Sequence, residues 1–339
     1  MHKTLATAAL AAAVGMAFTA SAGAATLDDI KKNDFLRCGV TEGTVGFSAP
    51  DANNNWAGLD VEYCRAIAAA IFNDPEKVRY APLSSPERFT ALSAGEVDLL
   101  VRTTTWTMSR DTQQGVMFAA TNYYDGQGFI VRKSDGIASA LDLSGAALCI
   151  EAGTTTELNA ADYFEANGLD YNPVVFTGQD EAWKAYEDGR CDVMTTDASA
   201  LASNRSVLQV PDDHIILPEI ISKEPLASVT RQGDDVWFNL VRWTHYAMLE
   251  AEELGVTSKN VDEMLGSDNP AIKRLLGVEG DFGTSLGLDK DWAYRIIKLV
   301  GNYAEIFDKT IGPDTEIGLE RGINALWKDG GIQYSPPIR

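Results

Sequence analysis

A short segment in the first third of the chain carries residue types suited to holding a carboxylate. Thr103, Thr105 and Arg110 lie in the stretch RTTTWTMSRD, which begins at Arg102. A guanidinium group meets a carboxylate with two parallel hydrogen bonds, and hydroxyl groups can donate to the lone pairs that remain. The alternative is that Arg110 caps or ion-pairs on a surface helix, and the spacing alone leaves both interpretations open.

A second segment could hold the same anion through its backbone. The sequence IEAGTTTE, starting at Ile150, reads as a strand, a glycine turn and a helix start, with Thr154 and Glu157 spaced as a capping box. A helix N-terminus presents free N–H groups and the positive end of a dipole, so it can bind a carboxylate without a cation. The alternative is a capped helix that binds nothing.

The N-terminal residues are typical of a secretory signal peptide. A charged start at Lys3 is followed by an apolar run over residues 5–18 and then by small residues up to Ala25. We expect cleavage after Ala24 or Ala25, and the apolar core is too short to span a bilayer. The first cysteine is Cys38, so a lipid anchor at the cleavage site is not expected.

Composition excludes several classes of function. The net charge of -21 disfavours nucleic acid and anionic membranes, which both attract basic patches. His214 and His245 have no partner at the spacing of a metal site or a catalytic triad, and the four cysteines form no Cys-x-x-Cys pair. We therefore expect no metal and no cofactor, and no segment after the signal peptide reads as a membrane span.

Short apolar runs alternate with helical patterns, which predicts an α/β fold built from βαβ units. Two such series predict two mostly parallel sheets, with a ligand cleft at the carboxyl ends of their strands. Strands are expected over residues 36–41, 97–102, 148–152 and 193–196, and helices over residues 61–72, 86–94, 157–166 and 182–188.

Two further strands, over residues 129–131 and 226–229, should carry the chain out of the first lobe and back. Two strand connections favour hinge closure over loose tethering. The expected division is a signal peptide at residues 1–25, lobe 1 at 26–130, an inserted lobe 2 at 131–225, and the return of lobe 1 with a helical C-terminal extension at 226–339.

The segment that contains Arg110 resembles the periplasmic amino-acid-binding proteins of ABC importers. Their pattern ends a strand with small or hydroxyl residues, places an arginine five residues after the second of them, and continues to a phenylalanine and paired aromatics. These positions are Thr105, Arg110, Phe118, Tyr123 and Tyr124 here. The resemblance implies a two-lobe, periplasmic-binding-protein-like fold of type II.

The resemblance covers the mature chain and is greatest to the branch of general L-amino acid binding proteins. The shared motifs lie at residues 47–51, 58–61 and 104–107 and in the C-terminal tail. One departure is Thr103, where that branch often carries asparagine.

The same resemblance implies roles for individual residues. The carboxylate of the ligand would be held by Arg110 with Thr103, Thr105 and Thr155, and its ammonium by Asp197. Asp197 could instead, or also, be the N-cap of a helix over residues 198–203. The side-chain pocket would be lined by Thr41, Thr44, Phe47, Ser85 and Glu151, although Ser85 before a proline is more simply an N-cap.

The function implied is capture of L-amino acids in the periplasm and delivery to an ABC permease by a monomeric protein that inserts in no membrane. An enzyme alternative is a periplasmic dehydratase of the cyclohexadienyl or arogenate type, which reuses this fold but needs an added general acid. A non-transport scaffold or sensor module is the third alternative.

Four cysteines in an exported chain predict two disulfides, and three pairings are open. Cys38 lies on one face of the first predicted strand, and Cys64 lies on the apolar face of the helix that follows. Cys149 and Cys191 each begin one of two strands expected to be neighbours. We therefore expect Cys38 paired with Cys64 and Cys149 with Cys191, the alternative being buried thiols.

Overall fold

A computed structural model gives the fold of residues 26–339, and the signal peptide expected at residues 1–25 lies outside this described part. The strands are β1 Leu36–Val40, β2 Ala49–Pro50, β3 Trp56–Ala57, β4 Val78–Pro82, β5 Leu99–Leu100, β6 Val116–Asp125, β7 Gln127–Arg132, β8 Ala147–Glu151, β9 Asn172–Phe176, β10 Val193–Asp197, β11 His214–Ile216 and β12 Glu224–Arg231. The helices are α1 Thr26–Asn33, α2 Leu59–Phe72, α3 Arg88–Ala94, α4 Met108–Gln113, α5 Thr155–Ala166, α6 Gln179–Glu187, α7 Ala198–Arg205, α8 Asp235–Glu253, α9 Val261–Met264, α10 Pro270–Leu275, α11 Trp292–Leu299 and α12 Tyr303–Thr310.

Two five-stranded sheets form the two lobes, in the orders β4-β1-β5-β12-β6 and β11-β7-β10-β8-β9. Strands joined by βαβ units pair in parallel, as β1 does with β4 and β5, and β8 with β9 and β10. The strands that follow a crossing between lobes, β7 and β12, pair antiparallel with their neighbours. The type II fold is confirmed, and its sheets are mixed rather than mostly parallel because these two strands enter without a crossover helix.

The predicted strands and helices are present, with shifted ends. The strand expected over residues 97–102 is shortened to β5, and the helix expected from residue 86 begins at Arg88. The ten-residue strand β6 was not predicted from the sequence. Its inward and outward residues do not alternate regularly, so it lacks the period of a half-buried strand.

The chain leaves the first sheet at Gly126, which separates β6 from β7 without a loop. A side chain at Gly126 would meet the Cγ2 atom of Ile220 at 2.2 Å, because the returning segment passes directly beside it. Asp125 and Glu224 face each other where β6 pairs with β12. The expected boundary at residue 130 therefore falls inside β7, and we propose lobe boundaries at Gly126 and just before Glu224.

Both sheets are covered on their two faces by helices. The first sheet packs on a large core that continues into the C-terminal helices, and on a smaller core on its other face. The second sheet separates two cores of similar size. Helices on both faces leave the carboxyl ends of the strands open toward the other lobe.

The C-terminal extension packs on lobe 1 and covers the edge strand β6. Asn324 binds the backbone of Tyr124 twice: the Tyr124 N–H donates to the side-chain oxygen at 2.7 Å, and the side-chain amide donates to the Tyr124 carbonyl at 2.9 Å. The hydroxyl of Tyr303 donates to the carbonyl of Asn122 at 2.9 Å. The extension thus takes the place of a further strand beside β6, next to the crossing at Gly126.

Each lobe contains one disulfide. Cys38 is bonded to Cys64 with their Cα atoms 6.3 Å apart, and Cys149 to Cys191 with their Cα atoms 5.6 Å apart. These are the pairs expected from the sequence, and neither bond crosses between the lobes. Among residues 26–339, no helix is long and apolar enough to cross a membrane.

Candidate functional site

The two lobes enclose a cavity that hydroxyl and charged side chains dominate. It contains about 430 Å³ of space, its open mouth included. Lobe 1 contributes Thr44, Ser85, Arg88, Arg102, Thr103, Thr105 and Arg110, and lobe 2 contributes Glu151, Thr154, Thr155, Thr156, Gln179, Thr196, Asp197 and Ala200.

Most of the residues expected at a ligand site line this cavity, and two do not. Thr41 is buried in lobe 1, where its hydroxyl lies 2.5 Å from the hydroxyl of Ser48. Phe47 packs edge-on against Tyr123 in the lobe 1 core, with ring centres 5.7 Å apart. The expectation that Thr41 and Phe47 line the pocket is not met, because both side chains turn inward behind the loop that carries Thr44.

The lobes meet across the cavity at the carbonyl oxygen of Gly153. Arg88 donates to this oxygen from lobe 1 at 3.2 Å, and Arg110 donates to it at 3.5 Å. The hydroxyl of Thr44 also donates to the side-chain oxygen of Gln179 at 3.3 Å. The structure is therefore a closed arrangement in which polar groups of the two lobes touch.

Arg110 is positioned from its own lobe by the turn that precedes it. The hydroxyl of Thr107 accepts from the Arg110 N–H at 3.2 Å and caps α4, and one guanidinium nitrogen donates to the carbonyl of Thr105 at 2.9 Å. Burial lowers the pKa of Arg110, opposed by the charges of Glu224 and Asp197. Arg110 is in no ion pair among residues 26–339, which disfavours the surface ion-pair interpretation.

The loop that carries the threonines is held by a buried acid. Thr103 has a φ of 42°, a left-handed conformation that residues with a side chain rarely adopt. Its N–H donates to the carboxylate of Asp60 at 3.1 Å, from the first turn of α2. Burial raises the pKa of Asp60 to about 7, against the lowering effects of this bond and of Arg102.

The glycine turn of lobe 2 is built differently from the expected capping box. The hydroxyl of Thr154 donates back to the carbonyl of Glu151 at 2.7 Å and does not cap α5. The hydroxyl of Thr155 donates to Glu224 at 2.9 Å. Since that proton is used, any anion at this helix end would meet the backbone N–H groups of the first turn.

Asp197 belongs to a group of three carboxylates at the crossing between lobes. Its side chain makes no capping hydrogen bond to α7, which disfavours the N-cap alternative. Burial and the neighbouring carboxylates of Asp125 and Glu224 raise the pKa of Asp197, and Arg110 and Arg88 oppose this. Burial also raises the pKa of Asp125 to about 6. Such a concentration of acid is suited to a cationic group.

Two arginines that line the cavity were not predicted as site residues from the sequence. Arg102 directly precedes Thr103, and its Nε donates to the carbonyl of Leu83 at 3.0 Å. Arg88 lies in the first turn of α3, three residues after Ser85, whose hydroxyl accepts from it at 3.3 Å. Their positions in the sequence could have identified both as candidates. Arg102 lies at the end of a predicted strand, and Arg88 lies near the start of a predicted helix, and both of these ends face the cleft. The other unforeseen lining residues, at the same kinds of position in lobe 2, are Thr154, Thr156, Gln179, Thr196 and Ala200.

Comparison with known proteins identifies a family and full-length relatives. Residues 36–275 match the model of the bacterial extracellular solute-binding proteins, family 3. The general L-amino acid-binding periplasmic protein AapJ of Rhizobium johnstonii is 57% identical over 341 residues, which cover 100% of both chains. The glutamate/glutamine/aspartate/asparagine-binding protein BztA of Rhodobacter capsulatus is 53% identical over 320 residues, 94% of this chain and 95% of that protein.

A solved structure agrees with these sequence matches. It is a periplasmic binding protein of an ABC transporter from Brucella ovis with glutathione bound. The two structures superpose with a TM-score of 0.92 at 58% identity, which covers 94% of this chain and 100% of that one.

We predict that Asp60→Asn makes the protein more stable at pH 8 and leaves its stability at pH 4 nearly unchanged. The folded-state pKa of about 7 exceeds the ordinary 3.8, so the folded protein holds one more proton than the unfolded chain between these values. This contribution to the free energy of unfolding falls by about 1.4 kcal/mol per pH unit as the pH rises through that window. Asparagine keeps an oxygen for the Thr103 N–H and carries no charge.

The measurement is urea unfolding at pH 4 and pH 8. The control is Asp162→Asn, an exposed position on α5. A gain in stability that is the same at both pH values would contradict the assignment of a buried, titrating carboxylate.

Proposed function

We propose that the cavity between the lobes holds the charged head group of an L-amino acid. The starting point is the family, since the chain belongs to the bacterial extracellular solute-binding proteins, family 3. The protein is the periplasmic amino-acid-binding component of an ABC importer, and not an enzyme of the dehydratase type. The observation that supports the head-group proposal most directly is that Arg110 and Asp197, on different lobes, line one cavity.

The carboxylate of the ligand would lie at the Arg110 end of the cavity. Arg110 supplies a fork of donors, Thr103 and Thr105 supply hydroxyl groups, and the first turn of α5 at Thr155 supplies backbone N–H groups. Their contributions come from both lobes. The bound anion would therefore compensate a buried guanidinium charge that is in no ion pair within the described residues.

The ammonium group would lie at Asp197, with Asp125 and Glu224 behind it. Burial raises the pKa of Asp125 and of Asp197, and neighbouring carboxylates add to this, so a cation placed there would offset the repulsion among these acids. Because groups of both lobes would contact the head group, the ligand would bridge the cleft and favour the closed arrangement. The closed, monomeric protein would then dock on the permease and release its ligand there.

We predict that Arg110→Ala weakens binding of L-amino acids by about 2–5 kcal/mol, the usual cost of removing one partner of a buried charged pair. Folding should survive, since Arg110 is on a short surface helix. Calorimetric titration of protein that has been unfolded and refolded to remove ligand measures the change. Arg190→Ala, at an exposed position of lobe 2 outside the cavity, is the matched control. Wild-type affinity in the Arg110 variant would contradict the assignment.

Asp197→Asn should separate ligand binding from folding. The variant removes the counter-charge for the ammonium, so the affinity for L-amino acids should fall at least a hundredfold. Its ligand-free thermal stability at pH 7.5 should be unchanged or higher, because a buried acid beside Asp125 and Glu224 is replaced by a neutral amide. Asp188→Asn, on the surface of the same lobe, is the control. Loss of ligand-free stability with binding intact would instead support a helix-capping role.

The range of ligands should be broad. Thr44 and Ser85 form small polar walls with room for water, and one methylene in a pocket is worth only about 1–3 kcal/mol. Several polar and aliphatic L-amino acids are therefore expected to bind within about a hundredfold of one another. Their D-enantiomers and decarboxylated amines should bind much more weakly. A competition panel in which one amino acid binds and all others fail would contradict broad specificity and leave the head-group proposal standing.

A further inference from the structure

Two side chains of the cavity contain a buried polar atom with no hydrogen-bond partner in the described structure. They are the Nε–H of Arg88 and the Oε1 atom of Glu151. A buried donor or acceptor left unsatisfied costs about 1–3 kcal/mol, and charged groups cost more. Groups of this kind in a ligand cavity indicate what a ligand has to supply.

Arg88 is a buried cation that no carboxylate of residues 26–339 neutralises. It is 2% exposed, and it forms no ion pair. Its terminal nitrogens have weak partners, the hydroxyl of Ser85 at 3.3 Å and the carbonyl of Gly153 at 3.2 Å. Arg88 therefore retains donor capacity beyond its contacts with the protein.

Glu151 supplies the complementary capacity from the other lobe. It ends β8, and it is in no ion pair within the described residues, although its charge acts on both Arg88 and Arg102. Glu151 is separate from the group formed by Asp197, Asp125 and Glu224 at the crossing. Beyond the groups proposed for the amino-acid head group, the described part of the cavity thus has one buried donor and one buried acceptor that lack a hydrogen-bond partner.

We propose that Arg88 and Glu151 form a subsite for a side-chain amide, in which Arg88 donates to the amide oxygen and Glu151 accepts from the amide nitrogen. This inference rests on the proposed head-group site, which it extends to the ligand side chain. An amide places an acceptor and a donor on neighbouring atoms and carries no charge. A carboxylate side chain satisfies Arg88 and is repelled by Glu151, and an aliphatic side chain leaves both groups unsatisfied.

The order of affinities follows within the broad range expected above. L-Glutamine should bind more tightly than L-glutamate, and L-glutamate more tightly than L-norvaline, which has an aliphatic side chain of similar length. L-Alanine reports the head-group site alone, because its side chain does not extend far enough to contact a second pair of groups.

The test is calorimetric titration of these four amino acids against the wild type, Glu151→Gln and Arg88→Met, with Glu157→Gln on the exposed face of α5 as the control. Glu151→Gln replaces an acceptor by an amide that can donate to a carboxylate. It should lower the ratio of glutamine to glutamate affinity at least tenfold, whereas Glu157→Gln should leave this ratio unchanged. Arg88→Met should weaken glutamine and glutamate at least tenfold relative to norvaline.

The outcomes separate this inference from the proposed function. If the wild type binds alanine but Glu151→Gln leaves the ratio of glutamine to glutamate affinity unchanged, the amide subsite is overturned and the head-group site remains intact. Wild-type protein that binds none of the four overturns the proposed function itself. Glu151→Gln is isosteric at a partly exposed position, so it decides the question even where Arg88→Met fails to fold.

Discussion

The contact of two guanidinium groups with a single carbonyl oxygen, that of Gly153, is the constraint on which the rest of the site depends. Arg88 and Arg110 reach it from lobe 1, while Gly153 belongs to lobe 2. No carboxylate of residues 26–339 forms an ion pair with either guanidinium group, so removing their positive charge from water is unfavourable unless an anion joins the site. In the closed arrangement, a bound ligand would therefore supply the negative charge that compensates the two guanidinium groups.

The fold provides this arrangement through the ends of its strands. The first sheet delivers Arg102 and Thr103 just after β5, and the second delivers Glu151 and Asp197 at the ends of β8 and β10. Asp60 holds Thr103 in a backbone conformation that would otherwise be unfavourable. The acids at the crossing are part of the same framework, because Asp125 and Glu224 are opposed in the β6 and β12 pair.

The sequence predicted those features that depend on local order along the chain. Residues at the ends of parallel strands gather at one edge of a sheet, so the βαβ pattern predicted where the cleft lies. The resemblance to amino-acid-binding proteins then implied the roles of Thr105 and Asp197 in it. The inward turn of Phe47 could not be predicted, because it depends on packing with Tyr123, which in turn stacks on Phe307 far along the chain. The position of Arg88 at a helix start marks it as a candidate for the cleft, but only the docking of α3 brings its guanidinium to the carbonyl of Gly153.

The position of β12 affects how the molecule can assemble. This strand lies between β5 and β6 in the first sheet, yet it follows the whole second sheet in the chain. When the chain appears with its N-terminus first, the second lobe is one contiguous segment and can fold early. Strands β5 and β6 keep unpaired edges until residues 224–231 are present to form β12 between them. Unpaired edges are sites of aggregation and chaperone binding, and long-range pairing is slow. The first lobe without β12 is therefore the folding intermediate most prone to misfolding. The C-terminal extension is the last segment to pack on this lobe.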